Sequence, residues 1–300
     1  MQSIKLGDVA LQRVYELRKR QENPEAYRPV RVGLVDFEYI INSGLPRIDP
    51  FYCAIIGQDK KGKSTFGNQL AWSYCENTGY KGVLYNLEEN LNQAADRAMA
   101  MMSTKVNRTN IYMNELTEED LDALEFYAHA ISQQELYVNA SLYTLNEMLQ
   151  DAAKNGFKVI TIDNFQLITD GIGRDQKDKL VYLSQTLMRA RNQGLFIFLL
   201  SQGNADGTSY GSTQVQKDAD LCVLIDEKYK KEDKKKVVVP GIRTLEVIRS
   251  RFSGTGICDV LFQPEFSRVR TLAEKPKDPN ADNFVEFEQY ELKAMEEEDE

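Results

Sequence analysis

The stretch "GQDKKGKST", Gly57 to Thr65, follows the apolar run "FYCAII" and leads into "STFGNQLAWSYCEN", a sequence of helical composition. A buried strand, a loop bounded by glycines and a helix in that order form the first half of a βαβ unit. The glycines permit backbone conformations and close approaches that a Cβ would obstruct. Backbone N–H groups of such a loop, with the helix N-terminus behind them, converge on one point and suit phosphate oxygens. The spacing Gly57, four residues, then Gly62-Lys63-Ser64 is the pattern GxxxxGK[ST], in the strand-to-helix context that pattern requires. Gly57, Gln58, Asp59, Lys60, Lys61, Gly62, Lys63, Ser64 and Thr65 are therefore read as a nucleotide-binding loop for ATP. Lys63 is expected to reach the β- and γ-phosphates and Ser64 to bind Mg²⁺. For Lys60 and Lys61 a second reading, as solvated loop charges, stands beside this one.

The rest of the chain supports the same architecture. Between Arg31 and about Leu272 the strand candidates "YCAII", "GVLYNL", "LYVN", "KVITID", "LFIFLLSQ", "LCVLID", "RTLEVIRSR" and "CDVLF" alternate with helix candidates. The helices are "STFGNQLAWSYCEN", "NLNQAADRAMAMM", "LYTLNEMLQDAAKN" and "KDKLVYLSQTLMRARN". Strands too apolar to alternate predict an α/β fold, a mostly parallel sheet flanked by helices, and the closing run of strands predicts an antiparallel extension. Residues 1–29 read as a helical arm (about Asp8 to Gln21) with the extended linker "ENPEAYRPV", residues 30–275 as the ATPase domain, and 276–300 as an acidic tail. The arm either packs on its own domain or docks on a neighbouring subunit. No apolar stretch is long enough for a membrane span, and the first twenty residues lack a signal peptide's apolar centre. Cys53, Cys75, Cys222 and Cys258 form no CxxC pair and read as free thiols of a reducing cytoplasm. A net charge of −9 argues against nucleic-acid binding over the whole surface but leaves room for a local basic channel.

A magnesium-assisted phosphate site needs a carboxylate at the tip of a nearby strand. "KVITIDNFQLI" supplies Asp163 there, a second metal-binding candidate that would hold Mg²⁺ through water. Asn164 follows it, so the base that activates water must come from elsewhere, and "GVLYNLEEN" offers Glu88 and Glu89. Acids favoured at a helix N-terminus are the competing reading of that pair, and it suits Glu89 better than Glu88. The single histidine, His129, reads as an ordinary helix residue.

In order and approximate spacing, "GQDKKGKST", "YNLEEN", "VITIDNFQLI", "FIFLLSQ", "GSTQVQKDADLCVLIDE" and "LEVIRSRFSGTGICDVLFQPEFSRV" resemble the RecA-like motor domain of DnaB-type replicative helicases, shared by bacteriophage primase-helicases. The similarity spans roughly Val30 to Val269, and "RSRFSGTG" followed by an aromatic strand and "PEFSR" is its most specific part. The resemblance implies a RecA-like P-loop fold and an ATP-driven motor on single-stranded DNA. It implies that Glu88 activates water, that Gln202 senses the γ-phosphate, and that Arg251 acts in trans as an arginine finger with Arg249 cooperating. It places Phe262 on the nucleobase. A finger in trans implies a homo-oligomer, a hexameric ring with a filament as the alternative.

Two departures keep a second class open, a RecA/RadA-like recombinase or recombination mediator that binds single-stranded DNA without unwinding it. The interval "GNADGTSYGSTQVQKDAD" is short, with Lys217 its one lysine, and only a short arm stands before the motor. Lys177, Lys179, Arg189, Arg191 and the run "KYKKEDKKK" are other basic candidates, the last reading as an exposed hairpin tip. In the tail, Glu286, Glu288, Glu291 and "EEEDE" interleave with Phe284, Phe287 and Tyr290. That pattern suits either a solubilising tail or a segment that meets a replication-protein partner or competes with DNA.

Overall fold

A computed structural model describes residues 4–173, 175–204, 213–232 and 235–272. The acidic tail and the centre of the interval after "FIFLLSQ" lie outside the described residues.

Among the described residues nine strands form one sheet: β1 (Tyr52–Gly57), β2 (Gly82–Asn86), β3 (Leu136–Asn139), β4 (Val159–Asp163), β5 (Phe196–Gln202), β6 (Leu221–Glu232), β7 (Lys235–Ser250), β8 (Gly256–Gln263) and β9 (Arg268–Thr271). Their order is β3-β2-β4-β5-β1-β6-β7-β8-β9. The pairs from β3 to β6 are parallel. From β6 onward they are antiparallel, as the sequence predicts. The helices are α1 (Leu6–Glu22), α2 (Val35–Ile40), α3 (Lys63–Thr78), α4 (Leu91–Met102), α5 (Arg108–Met113), α6 (Glu118–Ser132), α7 (Leu145–Asn155), α8 (Gln176–Asn192) and α9 (Gln214–Asp218).

The apolar strands have a simple cause. Along β1, Cys53 and Ile55 pack on one face with Phe66, Leu70 and Tyr74 of α3. Tyr52, Ala54 and Ile56 pack on the other with Met148 of α7 and Leu183 and Leu187 of α8. Both faces are dry, so no position is left for a polar alternate. Phe51 anchors the base of this layer, meeting Tyr74, Phe196 and Phe198 edge to face at centroid distances of 5.4–5.5 Å. The four cysteines are buried free thiols.

Several local expectations change. The linker after α1 is not extended throughout: Pro24–Tyr27 makes one 3-10 turn, opened by proline at its first position and by the Asn23 side chain accepting from the Ala26 N–H. The helix α5 and strand β9 are too short to announce themselves by periodicity. The arm helix α1 buries none of its residues, and Leu6, Val9, Leu11, Val14 and Leu17 are all exposed. His129 is exposed on α6 and lies 3.7 Å from Glu125 one turn earlier. Of the run "KYKKEDKKK", residues 228–232 end β6 and residues 235–236 begin β7. Among the described residues, no helix is long and apolar enough to cross a membrane.

Candidate active site

The chemistry gathers at the C-terminal ends of β1, β2, β4 and β5. The loop after β1 needs its glycines for two separate reasons. A Cβ on Gly57 would come within 2.7 Å of the Ile225 carbonyl oxygen of β6. One on Gly62, whose φ is +104°, would strike the Phe262 ring at 2.6 Å. The loop thus lies pressed between a neighbouring strand and an aromatic floor, its backbone turned toward the N-terminus of α3.

Lys63 is the first residue of α3 and is 8% exposed. Its ammonium donates to the Gln58 carbonyl at 2.9 Å and lies 3.8 Å from an Asp59 carboxylate oxygen. Burial lowers its pKa, while Asp59, Asp163 and Glu88 act in the opposite sense. Ser64, one residue on, lies beside Asp163 at the tip of β4 and acts to lower its pKa. Asp163 is 3% exposed, and its Oδ1 has no hydrogen-bond partner. Burial lifts its pKa to about 6, moderated by Ser64 and reinforced by the nearby charge of Glu88. A dry carboxylate oxygen without a partner, beside a serine hydroxyl and a lysine, fits a divalent cation. Among the described residues no group of three or more His, Cys, Asp or Glu side chains could hold a metal. Ser64 and Asp163 therefore make a partial shell of the kind that phosphate oxygens and water complete around Mg²⁺.

The two acids after β2 separate clearly. Glu89 turns into an ion cluster with Arg97 of α4, which it meets through both oxygens, and with Arg108 of α5 at 3.2 Å. Burial opposes its ionisation, but the two arginines outweigh burial and hold its pKa below the usual carboxylate range. Glu88 is exposed, points to the site, and accepts a hydrogen bond from the Asn164 amide. Asn86 sets both residues by accepting from the Glu88 and Glu89 backbone N–H groups at 3.2 and 2.9 Å. Gln202, at the tip of β5, donates from its side chain to Asp59 of the loop at 3.0 Å. The structure therefore brings Gln58, Asp59, Lys63, Ser64, Glu88, Asp163 and Gln202 together, with Thr65 buried in the first turn of α3.

Two sequence expectations are corrected. Lys61 is not a solvated charge and does not face the site; it turns to β6 and pairs with Asp226 and Glu227. Lys60, exposed with φ +62°, remains a loop charge. Phe262 is not an open platform for a base. It is 7% exposed and belongs to the core with Cys258 and Val260, the same face of β8. Its ring forms the floor under Gly62, and the Arg243 guanidinium covers it at 4.5 Å.

Arg249 and Arg251 are not brought to this site. Leu221 pairs with Cys53 at the start of β1 and with Ser250 at the end of β7, so the arginines sit at the other end of the sheet. The separation from the loop is roughly 15 Å of strand. Arg249 donates to the Gln216 carbonyl at 2.8 Å, and Arg251 pairs with Asp220 at 3.2 Å. Sequence reasoning missed Arg243, which donates to the Lys61 carbonyl at 3.1 Å and steadies the loop. It also missed Asn86, Arg97 and Arg108. Arg243, Arg249 and Arg251 fall an even number of residues apart along one stretch, with Arg243 and Arg249 both in β7, and that periodic placement was the available signal for Arg243.

The profile of the DnaB-like helicase C-terminal domain matches residues 30–271. The fold resembles a DnaB-like replicative helicase whose structure reports interactions with primase: 19% identity, 91% of this chain and 68% of that chain covered, TM-score 0.72. A solved ATPase domain aligns equally well, with 18% identity over 89% of this chain and 98% of that chain, TM-score 0.72. A KaiC-like protein from the hyperthermophilic archaeon Pyrococcus horikoshii is more distant, with 15% identity over 81% and 98%, TM-score 0.56. No curated protein sequence shows a significant match. Matched over all its strands and the loop that joins β1 to α3, the chain belongs to the family of DnaB-like helicase C-terminal domains.

Proposed function

We propose that this chain is the motor of a replicative DNA helicase, hydrolysing ATP with Mg²⁺ at interfaces between identical subunits and translocating on single-stranded DNA in the cytoplasm. The observation that carries the reading is the buried Asp163 with its unpartnered carboxylate oxygen, next to Ser64 and Lys63 and near Glu88. Ser64 and Asp163 would hold Mg²⁺, which would supply positive charge against the charge that develops on the phosphates. The chain's own groups do the rest. Loop N–H groups and Lys63 hold the phosphates, and Lys63 releases its Gln58 carbonyl to do so. Glu88, oriented by Asn164, is placed to accept a proton from water on the side away from the leaving group. Gln202 is placed to exchange its Asp59 partner for a γ-phosphate oxygen. Arg251, far from its own loop, is suited to reach a neighbour's site, where such an arginine is worth ~10³–10⁵ in rate. The exposed arm α1 supplies a surface for the same assembly.

The test measures DNA-stimulated ATP turnover and strand separation for wild type, Lys63→Ala and Glu88→Gln. Lys63→Ala is expected to lose nucleotide binding and both activities. Glu88→Gln is expected to bind nucleotide and assemble, yet turn over very slowly. Negative-stain images with a slowly hydrolysed analogue and single-stranded DNA are expected to show closed rings. Helical filaments without strand separation would move the chain to the recombinase class, and near-normal turnover in Lys63→Ala would refute the phosphate site itself.

A further inference from the structure

We propose that Asn164 and Gln166 are positioning residues that connect the Gln202 sensor to Glu88, so that the carboxylate is aimed according to the state of the nucleotide. This rests on the assignment of Glu88 and Gln202 above.

The contacts form one unbroken chain. The Gln202 side chain donates to Asp59 of the phosphate loop at 3.0 Å. Its backbone N–H donates to the Gln166 side-chain oxygen at 3.0 Å. The Gln166 side-chain nitrogen donates back to the Ser201 hydroxyl at 3.0 Å, so the amide grips the tip of β5 from both ends. The Gln166 backbone N–H then donates to the Asn164 side-chain oxygen at 2.9 Å. The Asn164 nitrogen completes the chain by donating to Glu88.

Orientation along this chain is determined by chemistry. A backbone N–H can only donate, so the atom of Asn164 that faces Gln166 must be its oxygen. That leaves the NH₂ group for Glu88, a carboxylate that can only accept. Asn164 is 7% exposed and cannot turn its amide without stranding the Gln166 N–H in a dry site. The 3-10 turn Phe165–Leu167 holds Asn164 and Gln166 in this relation, with Phe165 fully buried as its anchor.

A shift at the tip of β5 therefore has a direct route to Glu88. When the Gln202 side chain leaves Asp59 for a phosphate oxygen, its backbone N–H moves with it. Gln166 follows through paired bonds rather than a single one. The Asn164 amide is carried along, and the Glu88 carboxylate turns toward or away from the position of water. Such a relay needs two arrangements of one connected network, and the paired amide grip makes partial movement costly.

Gln166→Met keeps the length of the side chain and removes its grip on Gln202. Asn164→Leu removes the other end of the relay. Both are expected to bind a slowly hydrolysed ATP analogue and ADP within about threefold of wild type, with KM little changed. Turnover is expected to fall ~10–100-fold, the usual cost of a catalytic group misplaced by about an ångström. The decisive readout is amide hydrogen exchange of residues 86–90 with the ATP analogue against ADP. Wild type is expected to show a difference there between the two nucleotides. Gln166→Met is expected to lose that difference while keeping one at residues 57–65. If the difference at 86–90 survives in Gln166→Met, or its turnover is unchanged, the relay is wrong even though the site stands. If wild type shows no nucleotide-dependent protection at 57–65, the phosphate-site reading fails and the relay fails with it. Should Asn164→Leu fail to fold, the two readouts on Gln166→Met decide alone.

Discussion

Replacing each acid of the Glu88–Glu89 pair by its amide is expected to damage the protein in two different ways. Glu89 is 18% exposed at its side chain and meets Arg97, which is 12% exposed, and Arg108 at 31%. Glu89→Gln leaves Arg97 largely buried beside a neutral partner. Breaking a pair this dry costs ~3 kcal/mol, because the remaining charge is left without compensation. For a domain of this size ~1 kcal/mol moves the midpoint by about 2–4 °C, so a fall of about 6–12 °C is expected. The same cluster fixes the sign of its pH dependence. The arginines hold Glu89 below its ordinary value of 4.5, so its contribution is present at neutral pH and is lost as pH falls through the lowered pKa. Wild type and Glu89→Gln should therefore converge in acid. Glu88→Gln keeps an oxygen for Asn164 and disturbs no ion pair, so its melting point should stay within about 2 °C, the scale of a neutral surface change. Its turnover should collapse. Thermal melting and steady-state ATP hydrolysis on the same preparations check both. A Glu89→Gln that melts normally but has no turnover would show that the two roles are reversed.

Other consequences can be checked alongside. Asp163 has a folded pKa of about 6, raised from 3.8 by burial, so its neutral form stabilises the nucleotide-free protein in acid and that stability is lost as pH rises through about 6. Denaturant titrations at pH 5 and 7 without nucleotide or Mg²⁺ should show wild type gaining about 1 kcal/mol at pH 5 relative to Asp163→Asn; no relative gain refutes the buried-carboxylate account. Gly62→Ala places a methyl 2.6 Å from the Phe262 ring at φ +104°, and is expected to weaken nucleotide binding at least tenfold and lower the melting point. Arg251→Ala is expected to bind nucleotide normally but lose assembly-dependent turnover, and mixing it with Lys63→Ala should restore part of the rate. No recovery in assemblies shown to be mixed would place the finger elsewhere.

The parts of the site that were legible in the sequence are those built from contiguous residues. The loop from Gly57 to Thr65 carries its own geometry, and a strand dry on both faces advertises itself, which is why Asp163 could be placed at a strand tip. That Glu89 suits a local structural role better than Glu88 was also readable, though the partners that hold it were not. Arg97 and Arg108 arrive from helices 8 and 19 residues away, and no local pattern announces that they meet Glu89. Phe262 was misplaced because an aromatic close behind "RSRFSGTG" was given a ligand, when the alternation Cys258, Val260, Phe262 already put it on the inner face of its strand. Lys61 misled for a related reason. A lysine in a phosphate loop invites a phosphate, but the long β6–β7 hairpin brings Asp226 and Glu227 beside it, and that juxtaposition exists only after the sheet has formed.

The separation of Arg251 from its own phosphate loop also determines how activity should depend on assembly. The two ends of the sheet belong to different sites if Arg251 serves a neighbour. In a head-to-tail row of n subunits, each contact completes one site, so n − 1 sites are active and the terminal loop is always incomplete. Closing the row into a ring adds the last contact and makes all n sites complete. A two-fold dimer behaves differently, because its single interface can complete both sites and further growth adds nothing. Turnover per subunit, followed by mass photometry and ATPase assay across dilution, therefore distinguishes the modes. For the head-to-tail arrangement it should be near zero in the monomer, rise with each added subunit, and step to its maximum on closure. A rate per subunit that saturates at the dimer would assign Arg251 to a symmetric pair instead. A rate that is independent of assembly would return Arg251 to a structural role, holding Asp220 beneath the start of β1, where Asp220 also accepts from the Tyr52 N–H at 3.0 Å.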